Sequence, residues 1–384
     1  MVPQLSFMKI FKRTMLILVS LILAITVTVF IFFKTAPQIG VSAKGERLER
    51  MQEAPNYEDG VFLNTVETKM EMTWSTIRES LGHYLFADKT FKNPQEPLKV
   101  KSFSKADFER IPNDSIAFVW FGHSTILMKV SGVTILADPV IVGKRASMFS
   151  FMGPERFEYS QDITVEDLPN IDAVILSHDH YDHLDYSTIK ELKDKVDRFY
   201  LPLGVGAHFE HWGVPAENIT ELNWWDEVEF KSLKLAFTPT RHFSGRGLGD
   251  RFHTLWGSWV ILSEKRRLYF SGDSGYFPGF KEIGEKYGPF DLTFMECGAY
   301  NDGWSEIHMF PEETAQAHLD VKGRLLMPIH WGKFDLSLHP WKESVQRLSA
   351  KAEEENINLF TPEIGQMVSL SDSSDLDQWW ESYK

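Results

Sequence analysis

Cysteine is nearly absent from this chain: the single residue Cys297 among 384 excludes an intrachain disulfide and any thiolate metal cluster of the CxxC kind, and leaves the redox compartment open. Positive charge is also in short supply, with 40 Lys and Arg against 54 Asp and Glu and a formal net charge of -14. No run of basic residues interleaved with aromatics tracks a phosphate backbone, so nucleic acid is not an expected partner. Internal repeats and low-complexity tracts are missing as well. From Thr14 to Phe33, charge is absent altogether.

That uncharged run, MLILVSLILAITVTVFIFF, would extend about 30 Å as a helix, which matches the hydrocarbon core of a bilayer. One single-pass anchor over residues 14–33 is expected, behind a short polar tail at 1–13. A secretory signal is the alternative, but its apolar region is normally only about 7 to 15 residues, and the cleavage-like Val41-Ser42-Ala43 lies far downstream. Lys9, Lys12 and Arg13 precede the run, while Lys34, Lys44, Arg47 and Arg50 follow it, so the positive-inside count is nearly tied. Lys12 and Arg13 abut the run on a short tail that is easy to retain inside, which puts the main domain on the non-cytoplasmic side.

What is present in abundance is core material: 43% hydrophobic and 14% aromatic residues, with 12 Trp and 29 Phe. Residues 34–110 are polar and irregular and read as a tether and N-terminal extension. A helix is expected around Thr68 to Phe86, and a Pro-containing segment spans Lys92 to Pro97. From 111 to 384 short apolar runs alternate with Gly and Pro. IAFVWF, STILMKV and VTILAD predict consecutive strands with a tight turn at Ser131-Gly132, and DAVILSH, LKLAFTPTRH, WGSWVILS, RLYFSGD, FDLTFMEC and RLLMPIH predict others. Helical periodicity marks Tyr186 to Val196, Pro278 to Tyr287, Pro311 to Val321 and Trp341 to Glu354. Strands with helices spread among them predict sheets covered by helices around one core, an α/β domain.

In DAVILSHDHYDHLD an apolar strand ends at Ser177 and four potential metal ligands follow: His178, His180, Asp182 and His183. A rigid strand end projects ligands into a cleft while the loop wraps an ion. A lone histidine is more often a satisfied core or surface residue. Four such groups within six residues would be costly to desolvate without a cation. Three more stand at the ends of predicted strands: His242, Asp273 and His330. Seven ligands divide into two sets of three with one bridging carboxylate. Imidazole with carboxylate suits two divalent ions, zinc best, with iron or manganese as alternatives.

These residues match the HxHxDH motif, and the chain from about Trp120 onward resembles the metallo-β-lactamase superfamily. WFGHST, LADP, LWGSW, SGDSGY, GPFDL, CGAY, HMFPEE and IHWG resemble the branch containing N-acylphosphatidylethanolamine phospholipase D and its bacterial relatives. The resemblance implies an αβ/βα four-layer sandwich. It implies that His178, His180 and His242 bind one metal, that Asp182, His183 and His330 bind the other, and that Asp273 bridges them. Asp138 matches a family aspartate that could accept the second ring N–H of a ligand histidine and fix its tautomer; on the residues alone, a turn-forming Asp-Pro pair is an equal reading. His308 matches a family histidine important for activity, suited to stabilising a phosphoryl oxygen or protonating a leaving group. His123 is expected to order the WFGHST turn, and His339 lies where the relatives vary.

The function implied is a membrane-anchored dinuclear hydrolase, a phosphodiesterase of phospholipase D type acting on N-acylphosphatidylethanolamine-like lipids, with Asp182, His308 and Asp138 as catalytic residues. A lactonase or small-molecule ester hydrolase is the alternative, and a non-catalytic metal-binding protein is the third class. A di-iron oxygen-reducing role is disfavoured because His180 stands where those relatives usually carry Glu. The relatives can dimerise, so a homodimer is admissible. Cys297 is expected to be a small buried residue, and Trp224-Trp225 and Trp379-Trp380 are expected to serve packing rather than lipid headgroups.

Overall fold

The computed structural model describes residues 4–69, 78, 82, 92–370 and 378–384. The helix expected over residues 68–86 falls almost entirely outside the described residues. Gln4–Thr35 forms one helix whose stretch Met8–Thr35 is long and apolar enough to cross a membrane and is 0% buried in its most apolar window. A small hairpin follows, β1 (Tyr57–Glu58) and β2 (Val61–Phe62).

The body is built from two seven-stranded sheets. The first contains β3 (Ile116–Trp120), β4 (Ile126–Val130), β5 (Val133–Ala137), β6 (Ile171–Ile175), β7 (Val196–Pro202) and β8 (Ile219–Leu222). The second contains β9 (Glu227–Phe230), β10 (Leu233–Thr238), β11 (Ser258–Leu262), β12 (Arg267–Phe270), β13 (Leu292–Glu296), β14 (Leu325–Ile329) and β15 (Asn358–Leu359). Last in the chain, β16 (Met367–Ser369) returns to edge the first sheet beside β3. Each sheet is antiparallel through its early strands and parallel afterwards, from β5 to β8 in the first and from β12 to β15 in the second.

Alternation along β3 shows how the layers arise. Phe118 and Trp120 point into the cluster between the sheets, while Val119 and the following Phe121 point out beneath the helices. Strands such as β3, β4 and β5 are buried on both faces and therefore read as unbroken apolar runs. The helix Tyr186–Leu192 covers the first sheet with Ile189 and Leu192, its N-terminus capped by the Asp185 carboxylate. Gly279–Tyr287, Pro311–Asp320 and Glu343–Glu354 cover the second with Phe280, Ile283, Ala315 and Leu348. The result is a metallo-β-lactamase fold, helix, sheet, sheet, helix.

One expectation shifts, and another holds. The helix expected to run to Val196 ends at Leu192, a 3-10 turn takes Lys193–Lys195, and Val196 opens β7. The polar DR pair in VDRFYLP hides that strand's buried residues from a simple alternation. Trp379 and Trp380 are buried: Trp379 stacks on Trp331 at 5.5 Å and Trp380 meets it edge-on at 5.7 Å. Trp331 immediately follows His330, so the C-terminal pair braces the end of β14.

The extension after the first helix docks on the body. Trp212 Nε1 donates to the Pro37 carbonyl at 2.7 Å, Val41 N–H donates to His208 Nδ1 at 3.0 Å, and Arg47 and Arg50 both pair with the buried Glu221.

Candidate metal centre

Asp138 and the seven expected ligands lie past strand ends at one rim of the two sheets, and His308 reaches the same rim from further along the chain. Asp138 follows β5 and adopts a positive φ of 42°. Its Oδ1 accepts the Ser177 N–H at 2.7 Å, and its Oδ2 accepts Ser177 Oγ and His183 Nδ1, each at 2.6 Å. His183 Nε2 is thereby turned into the site. Past β6, the turn carrying His178, His180, Asp182 and His183 closes through His183 N–H and Leu184 N–H, both donating to the His180 carbonyl.

From the second sheet, His242 donates through Nδ1 to the Ile307 carbonyl at 2.9 Å, leaving Nε2 toward His180 Nδ1 at 3.3 Å. His178 Nε2 lies 2.9 Å from that same His180 nitrogen. Asp273 is presented by the turn after β12, where Gly272 has φ +56° and a Cβ would stand 2.5 Å from Ser177 Cβ. Only glycine brings the two ligand-bearing turns this close. His330 follows β14 with φ +69°, its N–H donating to the His123 carbonyl at 3.1 Å.

Two of the overlapping donor groups whose atoms lie within 4.8 Å of one another are His178, His180 and His242, and His123, Asp182, His183 and His330. Asp273 stands between them. Its Oδ2 is 3.1 Å from His183 Nε2 and 3.0 Å from His330 Nε2 on one side, and 3.8 Å from both His178 Nε2 and His242 Nε2 on the other.

Whether such a site suits metal is answered by its orphaned atoms. His183 Nε2, Asp273 Oδ1 and His330 Nε2 are buried without a hydrogen-bond partner. A buried polar atom left unpaired costs about 1–3 kcal/mol, and bound cations would offset that cost for all three. For His178 and His242 electrostatics agrees. Burial, joined by the neighbouring imidazoles, holds His178 well below the usual imidazole value, and burial also holds His242 there. Both are kept in the neutral, metal-binding form. Burial pulls His183 and His330 the same way, but the Asp273 and Asp182 carboxylates prevail, lifting His183 well above its ordinary value and His330 to about 10. These His/Asp clusters suit a dinuclear metal site.

The model for the beta-lactamase superfamily domain matches residues 134–331, which spans every one of the seven proposed ligands. An uncharacterized protein of Mycobacterium tuberculosis is 41% identical over 336 residues, covering 86% of this chain and 88% of its own. An N-acyl-phosphatidylethanolamine-hydrolyzing phospholipase D of Caenorhabditis elegans is 34% identical over 313 residues, covering 77% of this chain and 86% of its own. The chain belongs to the beta-lactamase superfamily. Within it, the chain is a metallo-hydrolase of the branch that includes these phospholipases. Among solved structures, the metallo hydrolase Igni18 of Ignicoccus hospitalis shares the fold, with a TM-score of 0.51 and 19% identity, over 68% of this chain and all of that one.

Around this superfamily centre the structure gathers residues that sequence reasoning passed over. His123 orders its turn through the backbone, as expected, but its ring also meets the site: Nε2 is 2.9 Å from Asp182 Oδ2 and the ring lies 4.1 Å from that of His330. Glu296, fully buried at the end of β13, accepts His308 Nδ1 at 2.5 Å and Met309 N–H at 3.2 Å. Burial raises its pKa against the pull of His308. The signal was an acidic residue ending the apolar run LTFME. Asp179, inside the histidine motif, faces away from the site and accepts Gly245 N–H and Thr254 Oγ1, each at 2.7 Å, with His208 Nε2 at 3.3 Å. His308 lies beside the site, its ring 5.0 Å from His242 and 5.1 Å from His330. His339 stacks on Tyr300 at 4.0 Å instead.

Proposed function

We propose that the protein is a membrane-anchored, dinuclear metal-dependent phosphodiesterase of phospholipase D type that hydrolyses N-acyl-phosphatidylethanolamine-like lipids. The observation that carries the dinuclear reading is the place of Asp273 Oδ2 between the two histidine groups. His178, His180 and His242 would hold one ion, Asp182, His183 and His330 the other, and Asp273 both, with zinc the best match to the donor set. Bound ions supply a nucleophile from water near neutral pH and offset charge building on the phosphoryl oxygens.

The chain's own residues do the rest. Asp138 fixes the His183 tautomer, and His123 holds one oxygen of Asp182. Glu296 anchors His308 Nδ1 so that Nε2 serves the substrate. As water adds to phosphorus and the bond to the alcohol oxygen breaks, His308 in its imidazolium form is placed to deliver the Nε2 proton to that oxygen, and the proton released by the water restores it. The products are an N-acylethanolamine and phosphatidic acid. The relative in Caenorhabditis elegans, named for hydrolysing N-acyl-phosphatidylethanolamine, supports the substrate class. The helix Gln4–Thr35 supports a single-pass anchor, and Lys12 and Arg13 abutting its apolar run favour a catalytic domain on the non-cytoplasmic side.

Purified, metal-replete protein is expected to release N-acylethanolamine and phosphatidic acid from N-acyl-phosphatidylethanolamine in mixed vesicles. If that lipid stays intact while members of a lactone panel are opened, the phospholipase reading fails and a lactonase replaces it.

A further inference from the structure

Outside the first helix, the three most exposed large apolar side chains among the described residues are Leu248 at 82%, Phe151 at 76% and Met152 at 54%. They occupy two loops that meet at one point. Phe151 and Met152 lie on the loop of residues 142–153, a few positions past Asp138, and Leu248 lies on the loop of residues 244–251, just past His242. Gln38, three residues beyond the end of the apolar helix, bonds to both. Its side-chain amide donates to the Met148 carbonyl at 2.8 Å, and its own carbonyl accepts Arg246 Nε at 3.0 Å and Nη2 at 2.8 Å.

The apolar surface runs on without a break from helix to body. Phe32, in the helix's last turns, stacks on Phe149 at 5.1 Å with the rings 20° apart, and Phe149 lies 5.6 Å from Phe151. Large apolar side chains exposed on neighbouring loops in this way are costly against water. We propose that these two loops form a membrane-contacting surface, with Phe151, Met152 and Leu248 seated at the headgroup and acyl-chain boundary of the leaflet in which the first helix ends. The proposal rests on Met8–Thr35 spanning the bilayer.

A bilayer fits better than a second copy of this chain because the tether is so short. Three residues reach at most about 11 Å, so a helix embedded to Thr35 keeps Gln38, and both loops bonded to it, near the headgroups. Lys34 and Lys144, both cationic, stand at the helix end and at the base of the first loop, where anionic headgroups lie. The same contact reaches the ligand turn, since Tyr181 Oη donates to the Arg246 carbonyl at 2.8 Å. A surface seated this way holds the site beside amphiphiles whose polar group lies at headgroup level.

The test uses the full chain in nanodiscs of phosphatidylethanolamine and phosphatidylglycerol. Cys297, the sole native thiol, is buried, so an environment-sensitive fluorophore labels an introduced cysteine alone. Probes at Phe151→Cys and Leu248→Cys are expected to blue-shift and to be quenched by lipids carrying a shallow nitroxide. A probe at Leu319→Cys, on the helix covering the other sheet, is expected to stay in water. A probe at Leu23→Cys reports the helix itself.

If Leu23 is quenched in the acyl region while Phe151 and Leu248 remain in water, the loop surface is overturned and the anchor stands. If Leu23 is also in water, the anchor reading falls and this proposal falls with it. Probes that blue-shift without lipid quenching, and return to water on dilution into empty nanodiscs, overturn it in favour of a second copy on this face.

Discussion

Glu296 Oε1 accepts His308 Nδ1 at 2.5 Å, which places a fully buried carboxylate behind a histidine that borders the proposed ligand groups just past the 3-10 turn Asp302–Trp304. The bond holds one proton on His308 Nδ1 and leaves Nε2 as the ring nitrogen that can face a substrate. Gln in its place keeps the shape but not the negative charge that strengthens this hydrogen bond. Glu296→Gln is expected to lower kcat about 10–100-fold with KM little changed. Bound metal, measured by elemental analysis, is expected to stay at the wild-type level. Lost metal would make Glu296 structural instead.

Asp138 acts on the other side of the centre, where one carboxylate ties Ser177 and His183 together. An asparagine there can present its NH2 toward His183 Nδ1 and select the wrong tautomer. Asp138→Asn is expected to weaken metal binding about 10–100-fold, read as metal loss against a competing chelator, with the fold intact by circular dichroism. Unchanged metal retention would return Asp138 to the role of a turn residue in Leu-Ala-Asp-Pro.

Arg246 is buried and donates to the carbonyls of Gln38, Asp179 and Leu184, stacking on Tyr181 at 4.1 Å. It thus clamps the segment after the first helix to the back of the ligand turn. Arg246→Ala leaves two buried carbonyls, of Asp179 and Leu184, and the part-buried Gln38 carbonyl without this donor, and is expected to destabilise the protein by about 2 kcal/mol or more. Thermal melting is expected to fall, and limited proteolysis to open the chain near Pro37–Ile39. Arg246→Lys is expected to rescue little, because one ammonium cannot span the three acceptors that the planar guanidinium reaches.

The parts of this site that were legible in the sequence are those that chemistry crowds together along the chain. His178, His180, Asp182 and His183 stand within six residues, and the apolar run before them marks the strand end that presents them. His242, Asp273 and His330 were legible by analogy of place, each closing its own apolar run. Glu296 was not: its partner His308 is 12 positions on, beyond a 3-10 turn, and nothing in LTFMEC tells an inward acid from an outward one. The same holds for Val41 and His208, 167 positions apart, and for Gln38 with Arg246, 208 apart. Of the strands, those buried on both faces read as plain apolar runs. Val196–Pro202, Ile219–Leu222 and Glu227–Phe230 carry charges within or beside short apolar stretches, and their pairing in the sheet overrides the local pattern.

A pH signature follows from His318, far from the ligands, on the helix covering the second sheet. It is 1% exposed, its Nδ1 lies 2.7 Å from Thr293 Oγ1, and burial lowers its pKa to about 4. The folded protein keeps this ring neutral at a pH where the unfolded chain, titrating near 6.5, takes up a proton. Between about 6.5 and 4 the unfolded state therefore binds more protons, and stability falls as pH falls. Above about 6.5 the group contributes no slope, and below about 4 its cost levels off near ~3 kcal/mol. His318→Gln, whose amide can still meet Thr293, is expected to flatten the fall in melting temperature between pH 6.5 and 4 relative to the wild type. The difference between the two curves isolates this residue from the carboxylates that titrate in the same range. Parallel curves would mean that His318 is protonated in the folded protein and that its burial is compensated by a charge partner.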